Sequence, residues 1–501
     1  MDINREINRL LHFARQQGLL QKNDEVYAAN RLLDCLRVPE FVPEAICETL
    51  TTAEPILENM LLYAVNTGIL EDTAVQRDLF DTRLMDCLMP RPSEVVARFR
   101  EEYAKSPQQA TDWYYRFSIA SNYIRQGRIA KNIGWKVPTA YGDLDVTINL
   151  SKPEKDPRDI ARAKLEHRTA YPKCLLCREN EGFAGNTNHP ARQTHRLIPL
   201  QLNGRPWYLQ YSPYTYYNEH CIILNQEHAP MRISRDTFVN LTDFLDLFPH
   251  YFAGSNADLP IVGGSILTHD HYQGGRYTFA MERAPIEKKY VFRGFENVEA
   301  GRIQWPMSAI RLRTPDKQRI IVLADKILRC WRGYSDASVD ILAATEGTPH
   351  NTITPIARRR DGAYEFDLVL RNNRTTKQHP LGIFHPHAEV HHIKKENIGL
   401  IEVLGLAILP PRLKTEMAVV REELLRGTPD IRAIGAVASH ADWYQSIRAA
   451  HAAISEENVD EILRQEIGQV FLTVLEHAGV FKRTPQGMQA FDAFAAAVSA
   501  E

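Results

Sequence analysis

Three side chains with reactive or hydrogen-bonding heads alternate through Gly263-Gly264-Ser265-Ile266-Leu267-Thr268-His269-Asp270-His271-Tyr272-Gln273-Gly274-Gly275. If residues 266–273 are extended, positions i, i+2 and i+4 project from one face, and His269, His271 and Gln273 form a polar row. Glycine pairs flank the row, and without Cβ atoms they let a bulky phosphate approach the backbone. A neutral imidazole is a competent nucleophile near pH 7 and leaves readily, which suits transient transfer of a phosphorus-centred group. The plain alternative for a bare His-x-His is a solvated strand face or a metal pair without catalytic work. Glycine on both sides and Gln273 in register favour chemistry.

A second signal is Cys174-Leu175-Leu176-Cys177. Two thiolates three positions apart grip one tetrahedral Zn²⁺, but they make half a site, and the same spacing serves redox pairs. His228 follows a strand-like run and is one candidate for completing the set; His269 is the other, and would tie the histidine row to the metal. Four protein ligands leave no open position, so such a metal is structural. A third signal is Arg125 and Arg128, in Tyr123-Ile124-Arg125-Gln126-Gly127-Arg128. Their forked guanidinium groups suit phosphate oxygens, and a solvated helix face is the competing reading.

The surrounding elements are expected to be of two kinds. Residues 1–105 read as an all-helical N-terminal extension, with Leu10, Leu11, Phe13 and Ala14 at helical spacing and breaks at Pro39, Pro43, Pro90 and Pro92. Short strand-like runs follow at 145–150, 197–200 and 221–224. A helix is predicted from the N-cap Ser234 through Phe252, with Phe238, Leu241, Leu245 and Phe248 on one face. A second strand-rich stretch covers about 310–405, and a helical tail begins near 411. His385-Pro386-His387 echoes His269-Asp270-His271 faintly, which suggests two related halves.

Whole-chain properties exclude several classes. Lys and Arg total 60 against 62 Asp and Glu, so the net charge of −2 offers no field for nucleic acid or an anionic membrane. The opening segment is charged and lacks the apolar centre of a signal peptide, and no apolar run reaches spanning length. Seven cysteines spread over 501 residues do not read as a disulfide framework, and all but Cys174 and Cys177 are taken as single thiols. A reduced, cytoplasmic protein is expected.

At these motifs the chain resembles the galactose-1-phosphate uridylyltransferases of the histidine-triad superfamily, in their second, mainly bacterial sequence class. Matching blocks are Tyr141 to Asp145, Tyr171 to Cys177, Pro190 to Gln193, Tyr216 to His220, Gly254 to Gly275 and His385 to His392. The resemblance implies an α+β fold of two histidine-triad-like halves with mainly antiparallel sheets. It places them at 106–305 and 306–501. It implies His271 as nucleophile and a ping-pong exchange through a uridylyl-histidine, with UDP-glucose, UDP-galactose and hexose 1-phosphates as ligands. Gln273 stands where hydrolytic relatives carry a third histidine, and an amide cannot shuttle a proton to water. Cys174, Cys177, His228 and His269 match the relatives' zinc ligands. Arg125, Arg128, Asn256, Gly274 and Gly275 are expected at the substrate. The resemblance also implies a homodimer, and a second metal drawing on His350, His385 or His387. The hexose pocket is expected near Asn372 and Asn373. Two other functions fit the same motifs: a nucleotide-sugar phosphorylase or adenylyltransferase, and a non-catalytic zinc-stabilised binding protein.

Overall fold

The computed structural model describes residues 2–151, 170–264 and 266–500, so Ser265 of the glycine-flanked motif lies outside them. The chain forms two compact units. The first comprises Met1–Lys131, Ser151–Ala229 and His269–Gly274, and the second comprises Asn132–Leu150, Pro230–Thr268 and Gly275–Glu501.

The first unit opens with the expected helices, at Ile3–Gln16, Glu25–Leu36, Glu54–Asn66, Ala74–Asp86 and Pro92–Lys105, and the helical run continues beyond residue 105 with Pro107–Ala120. Asp2 caps the first by accepting the Asn4 backbone N–H, and buried Ile7, Leu10, Leu11 and Ala14 form its inner stripe. Pro92 and Pro107 do not interrupt a helix but begin one, since a first-turn residue has no intrahelical N–H bond to lose. Cys35 and Cys87, read from the sequence as isolated, have Sγ atoms 3.8 Å apart in the helical interior. Their separation of 52 positions hides this from any local pattern.

Four antiparallel strands complete the unit in the order Ile198–Leu202, Arg205–Tyr211, Cys221–Asn225 and His271–Gly275. The helix at 107–120 is fastened to this sheet by hydroxyls: Tyr114 donates to the Arg196 carbonyl at 2.5 Å, and Tyr211 to the Thr111 carbonyl at 3.0 Å. Trp207 stacks on Tyr272 with ring centroids 5.0 Å apart, which fixes the last strand against the second.

The second unit holds a sheet in the order Phe252–Gly254, Asn351–Arg360, Ala363–Asn372, Ala309–Thr314, Glu299–Ile303 and Ile286–Tyr290, all antiparallel. A smaller sheet pairs Ile133–Thr139 with Gly142–Ile148, and Leu406–Leu409 joins it in parallel. The helix predicted from Ser234 spans Arg235–Leu247 and buries Phe238, Leu241 and Leu245 as expected. It stops short of Phe252 because Phe248 precedes Pro249, and the residue before proline avoids the helical region. The stretch at 310–405 is not all strand. Lys317–Gly333 is a helix capped by Asp316, with Ile320, Leu323, Ala324, Ile327, Leu328 and Trp331 buried.

The large sheet carries a buried charge cluster. Arg311 reaches Asp367 with Nε–Oδ1 at 2.7 Å and Nη2–Oδ2 at 2.9 Å, and Arg358 Nη2 meets the same carboxylate at 2.6 Å. Burial alone would raise the Asp367 pKa, but attraction to Arg311 and Arg358 outweighs it and holds the group at about 2.

Candidate active site

The first unit brings four of the expected side chains together. Cys174 Sγ lies 3.5 Å from Cys177 Sγ and 3.3 Å from His269 Nδ1, while Cys177 Sγ is 3.2 Å from His228 Nδ1 and 3.7 Å from His269 Nδ1. With metal–sulfur bonds of about 2.3 Å and metal–nitrogen bonds of about 2.0 Å, ligands at tetrahedral angles stand roughly 3.4–3.8 Å apart. The two thiols and two imidazole nitrogens therefore fit one tetrahedral ion, and the described residues offer it no fifth ligand.

The backbone around the ligands is built to hold them. Asn180, fully buried, donates its side-chain N–H groups to the Cys174 and Cys177 carbonyls at 2.8 and 2.7 Å. His269 Nε2–H donates to the Asn225 carbonyl at 2.8 Å, which leaves Nδ1 as the lone-pair nitrogen facing the thiols. Burial pushes the Cys174 thiol up to about 11, so metal binding would displace its proton.

His269 does not share a strand with His271, contrary to the sequence expectation. The strand begins at His271, and His269 sits in the bend before it. The partner strand Cys221–Asn225 pairs Leu224 with His271 and ends one residue later, so no ladder is available further back. The bend is pinned instead: the Asp270 N–H donates to the Ala229 carbonyl at 2.7 Å, and its carbonyl accepts the Asn225 N–H at 3.0 Å. Two links thus bind the metal site to the next histidine.

His271 Nδ1–H donates to the carbonyl of His269 at 2.8 Å. Its lone pair therefore lies on Nε2, to which no described residue hydrogen-bonds. The ring is 6% exposed, and burial, opposed by its bond to the His269 carbonyl, lowers its pKa to about 4. It is neutral at pH 7 and has one nucleophilic nitrogen. Gln273, two residues on, has its amide Oε1 3.1 Å from His220 Nε2. His220 Nδ1 lies 3.1 Å from the Tyr214 carbonyl, which only accepts, so the ring proton is on Nδ1. Burial holds His220 neutral, with its pKa lowered to about 4, so Nε2 is an acceptor, and the Gln273 amide, turned over to exchange its O and N, donates an N–H to it. Its carbonyl oxygen is then the outward end of the amide. Tyr217 hydroxyl donates to the Gly274 carbonyl at 2.9 Å, and Gly275 closes the strand.

His220, Asn180 and Asn225 had no assigned role in the sequence reading. His220 entered the sequence reading only as the end of the matching block Tyr216 to His220; the antiparallel pairing of Ile222 with Gln273 is what turns it toward the amide.

The remaining expected residues are placed differently. Arg125 forms a two-pronged bond to the buried Asp81, with Nη2–Oδ1 at 2.8 Å, and Arg128 Nη1 meets Asp78 Oδ2 at 2.9 Å. Both forks are filled by carboxylates. Asn256, in the second unit, accepts the Leu400 N–H at 2.8 Å and packs so closely on Gly264 that a Cβ there would meet its amide at 2.4 Å. Asn372 spends its amide on the Leu342 carbonyl and Asn351 at 3.0 and 2.7 Å, and Asn373 meets His350 at 2.9 Å. His385-Pro386-His387 is not a strand but part of an irregular segment. There His387 stacks between His379 and His477 with centroids 4.2 and 4.3 Å away. His387, Glu389 and His477 offer ligand atoms within 4.8 Å of one another. His477 Nδ1 accepts the His387 N–H at 3.3 Å, however, so its Nε2 carries a proton toward Glu389 and is not a free donor.

No helix among the described residues is long and apolar enough to cross a membrane.

The chain matches the family models "Galactose-1-phosphate uridyl transferase, N-terminal domain" over residues 18–230 and "C-terminal domain" over residues 243–445. It is 61% identical over 492 residues to the galactose-1-phosphate uridylyltransferase of Clostridium acetobutylicum, covering 98% of this chain and 99% of that one. It is 52% identical to the protein of that name from Caldanaerobacter subterraneus subsp. tengcongensis, over 97% of this chain and 96% of that one. For the Bacillus subtilis protein of that name, identity is 50% over 99% and 97% of the two chains. On this likeness, which spans both compact units and includes the His271 strand and the four-ligand cluster, the chain belongs to the galactose-1-phosphate uridylyltransferase family.

Proposed function

We propose that this chain exchanges the uridylyl group between UDP-glucose and galactose 1-phosphate through a covalent uridylyl-His271. The observation that carries the reading is the tautomer of His271, whose Nδ1–H is spent on the His269 carbonyl at 2.8 Å while Nε2 keeps its lone pair. In the first half-reaction Nε2 attacks the α-phosphorus of UDP-glucose. The bond from that phosphorus to the bridging oxygen breaks, and glucose 1-phosphate leaves with the electron pair. The substituted ring then carries a positive charge, and the His269 carbonyl, already bonded to Nδ1–H, stabilises it. A phosphate oxygen of galactose 1-phosphate next attacks the same phosphorus, the N–P bond breaks, and neutral His271 returns. No proton is needed from water, which suits Gln273 at a position where a shuttle would favour hydrolysis.

The ion that Cys174, Cys177, His228 and His269 would hold is read as zinc, because thiolate and imidazole donors in a tetrahedral set select it. With four protein ligands its contribution would be to fix the loop and the His269 carbonyl. The same tautomer would serve a phosphorylase of nucleotide sugars, so the test must identify the acceptor. Intact-mass measurement after mixing the protein with UDP-glucose alone should show one UMP adduct mapping to His271, discharged by galactose 1-phosphate and not by inorganic phosphate. Binding of UDP-glucose without an adduct would sink covalent transfer.

A further inference from the structure

Two thiols outside the proposed metal set meet in the helical part of the first unit. Cys35 Sγ and Cys87 Sγ are 3.8 Å apart, close to van der Waals contact, and both side chains are buried. Neither sits in the middle of a helix. Cys35 is the next-to-last residue of Glu25–Leu36, and Cys87 is the C-cap of Ala74–Asp86. Helix ends shift more easily than helix interiors, and a sulfur–sulfur bond of about 2.05 Å asks for a closure of less than about 2 Å. The Cys87 thiol is held only by a weak bond, which it donates to the Arg83 carbonyl at 3.5 Å.

A thiol buried in apolar surroundings is inert packing. This pair has an entry. Cys87 lines a cavity of about 1000 Å³ whose wall also includes the charged Arg31, Asp86 and Arg91. Its rim is formed by exposed Gln17, Gln21 and Asp24, so a small hydrophilic molecule can pass from solvent to the Cys87 sulfur.

We propose that Cys35 and Cys87 are a redox modification site, at which a peroxide entering this cavity joins them in a reversible disulfide between helices Glu25–Leu36 and Ala74–Asp86. The Cys87 sulfur attacks one oxygen of hydrogen peroxide, the O–O bond breaks, and the departing hydroxide takes the thiol proton and leaves as water. The Cys35 sulfur then displaces the hydroxyl of the sulfenic acid. The S–S bond forms, the S–O bond breaks, and a second water carries off the Cys35 proton. Two thiols are oxidised and one peroxide is reduced; a dithiol reverses the bond by exchange. The bridge closes a loop of 52 positions, which restricts the unfolded chain more than the folded one. It also fixes the helix whose Asp78 and Asp81 fill the forks of Arg128 and Arg125. The site stands apart from the uridylyl reading.

The test treats the natural, metal-loaded full chain with hydrogen peroxide, alkylates the remaining thiols after unfolding, and maps the peptides without reduction. The peptide linking Cys35 to Cys87 should dominate the cross-linked products and vanish on adding dithiothreitol. In urea the unfolded chain should link Cys35 chiefly to Cys47, its nearer neighbour in sequence. Folding should shift that ratio toward Cys87 by at least about tenfold, because it holds the two sulfurs together. Equal ratios in the two states overturn the proposal. So does oxidation of the exposed Cys47 while Cys35 and Cys87 are both still alkylated. In Cys35→Ser, dimedone should trap a sulfenic acid on Cys87, and a trap that finds Cys47 alone overturns that step. The oxidised natural chain should unfold at a higher urea concentration than the reduced one. An earlier midpoint would mark a strained bond that the fold does not accommodate, and would overturn the bridge.

Discussion

At the scale of single residues, function depends on which nitrogen of each histidine carries the proton. His269 donates from Nε2 and turns Nδ1 to the thiols, whereas His271 donates from Nδ1 and keeps the Nε2 lone pair on which the proposed attack depends. Each choice is set by one backbone carbonyl. Replacing His271 by Asn should lower turnover by at least about 10⁴-fold, in line with loss of a covalent nucleophile. UDP-glucose binding should persist in that variant by calorimetry, and turnover within tenfold of normal would reject the mechanism. His220 acts through Gln273, which it orients from 3.1 Å away. His220→Phe should cut kcat about 10–100-fold with KM nearly unchanged, because a misaimed amide costs transition-state geometry. A rise in KM with kcat preserved would instead assign His220 to substrate binding.

At the scale of elements, the His271 strand is short and is fastened at one side by its ladder to Cys221–Asn225 and at its start by the metal-ligand bend. Cys174→Ser should therefore lower both metal content, read by emission spectrometry, and melting temperature, because the ion's binding free energy contributes to folding. Full metal content in that variant would remove Cys174 from the ligand set. The paired strands 351–360 and 363–372 depend on a different device, the buried Arg311, Arg358 and Asp367 group. Asp367 is depressed to about 2, below the roughly 3.9 of an unfolded aspartate. Its contribution to stability is thus present above about pH 3.9 and is lost as pH falls through the folded value near 2. Arg358→Ala should cost about 3–5 kcal/mol at neutral pH, because it takes from buried Asp367 one of its two guanidinium partners and from buried Glu365 the Nε–H it accepts at 2.7 Å. Denaturant unfolding at pH 7 and pH 3 should show the difference between variant and parent narrowing at the lower pH.

At the scale of the whole molecule, the four proposed metal ligands and the proposed nucleophile all belong to the first compact unit, while the Asp367 cluster belongs to the second. Chelation should accordingly raise hydrogen exchange in 171–180 and 221–229 and leave protection in 351–360 and 363–372 as it was. Equal loss in both units would show that the metal supports the entire chain.

Residue type and spacing alone made legible the Cys-x-x-Cys pair, the His-x-His-x-Gln row and the apolar stripes of the helices. These are local patterns, where chemistry and burial are written within a few positions. Tertiary structure decided what depended on distant partners. It joined Cys177 to His228 across 51 positions and to His269 across 92, and it set His220 against Gln273 across 53. It also filled the forks of Arg125 and Arg128 with Asp81 and Asp78. A sequence declares that an arginine is charged, but whether a carboxylate reaches it is a property of packing. For the same reason the proton positions on His269 and His271, on which the chemistry turns, became readable once the fold had placed a carbonyl oxygen beside each ring.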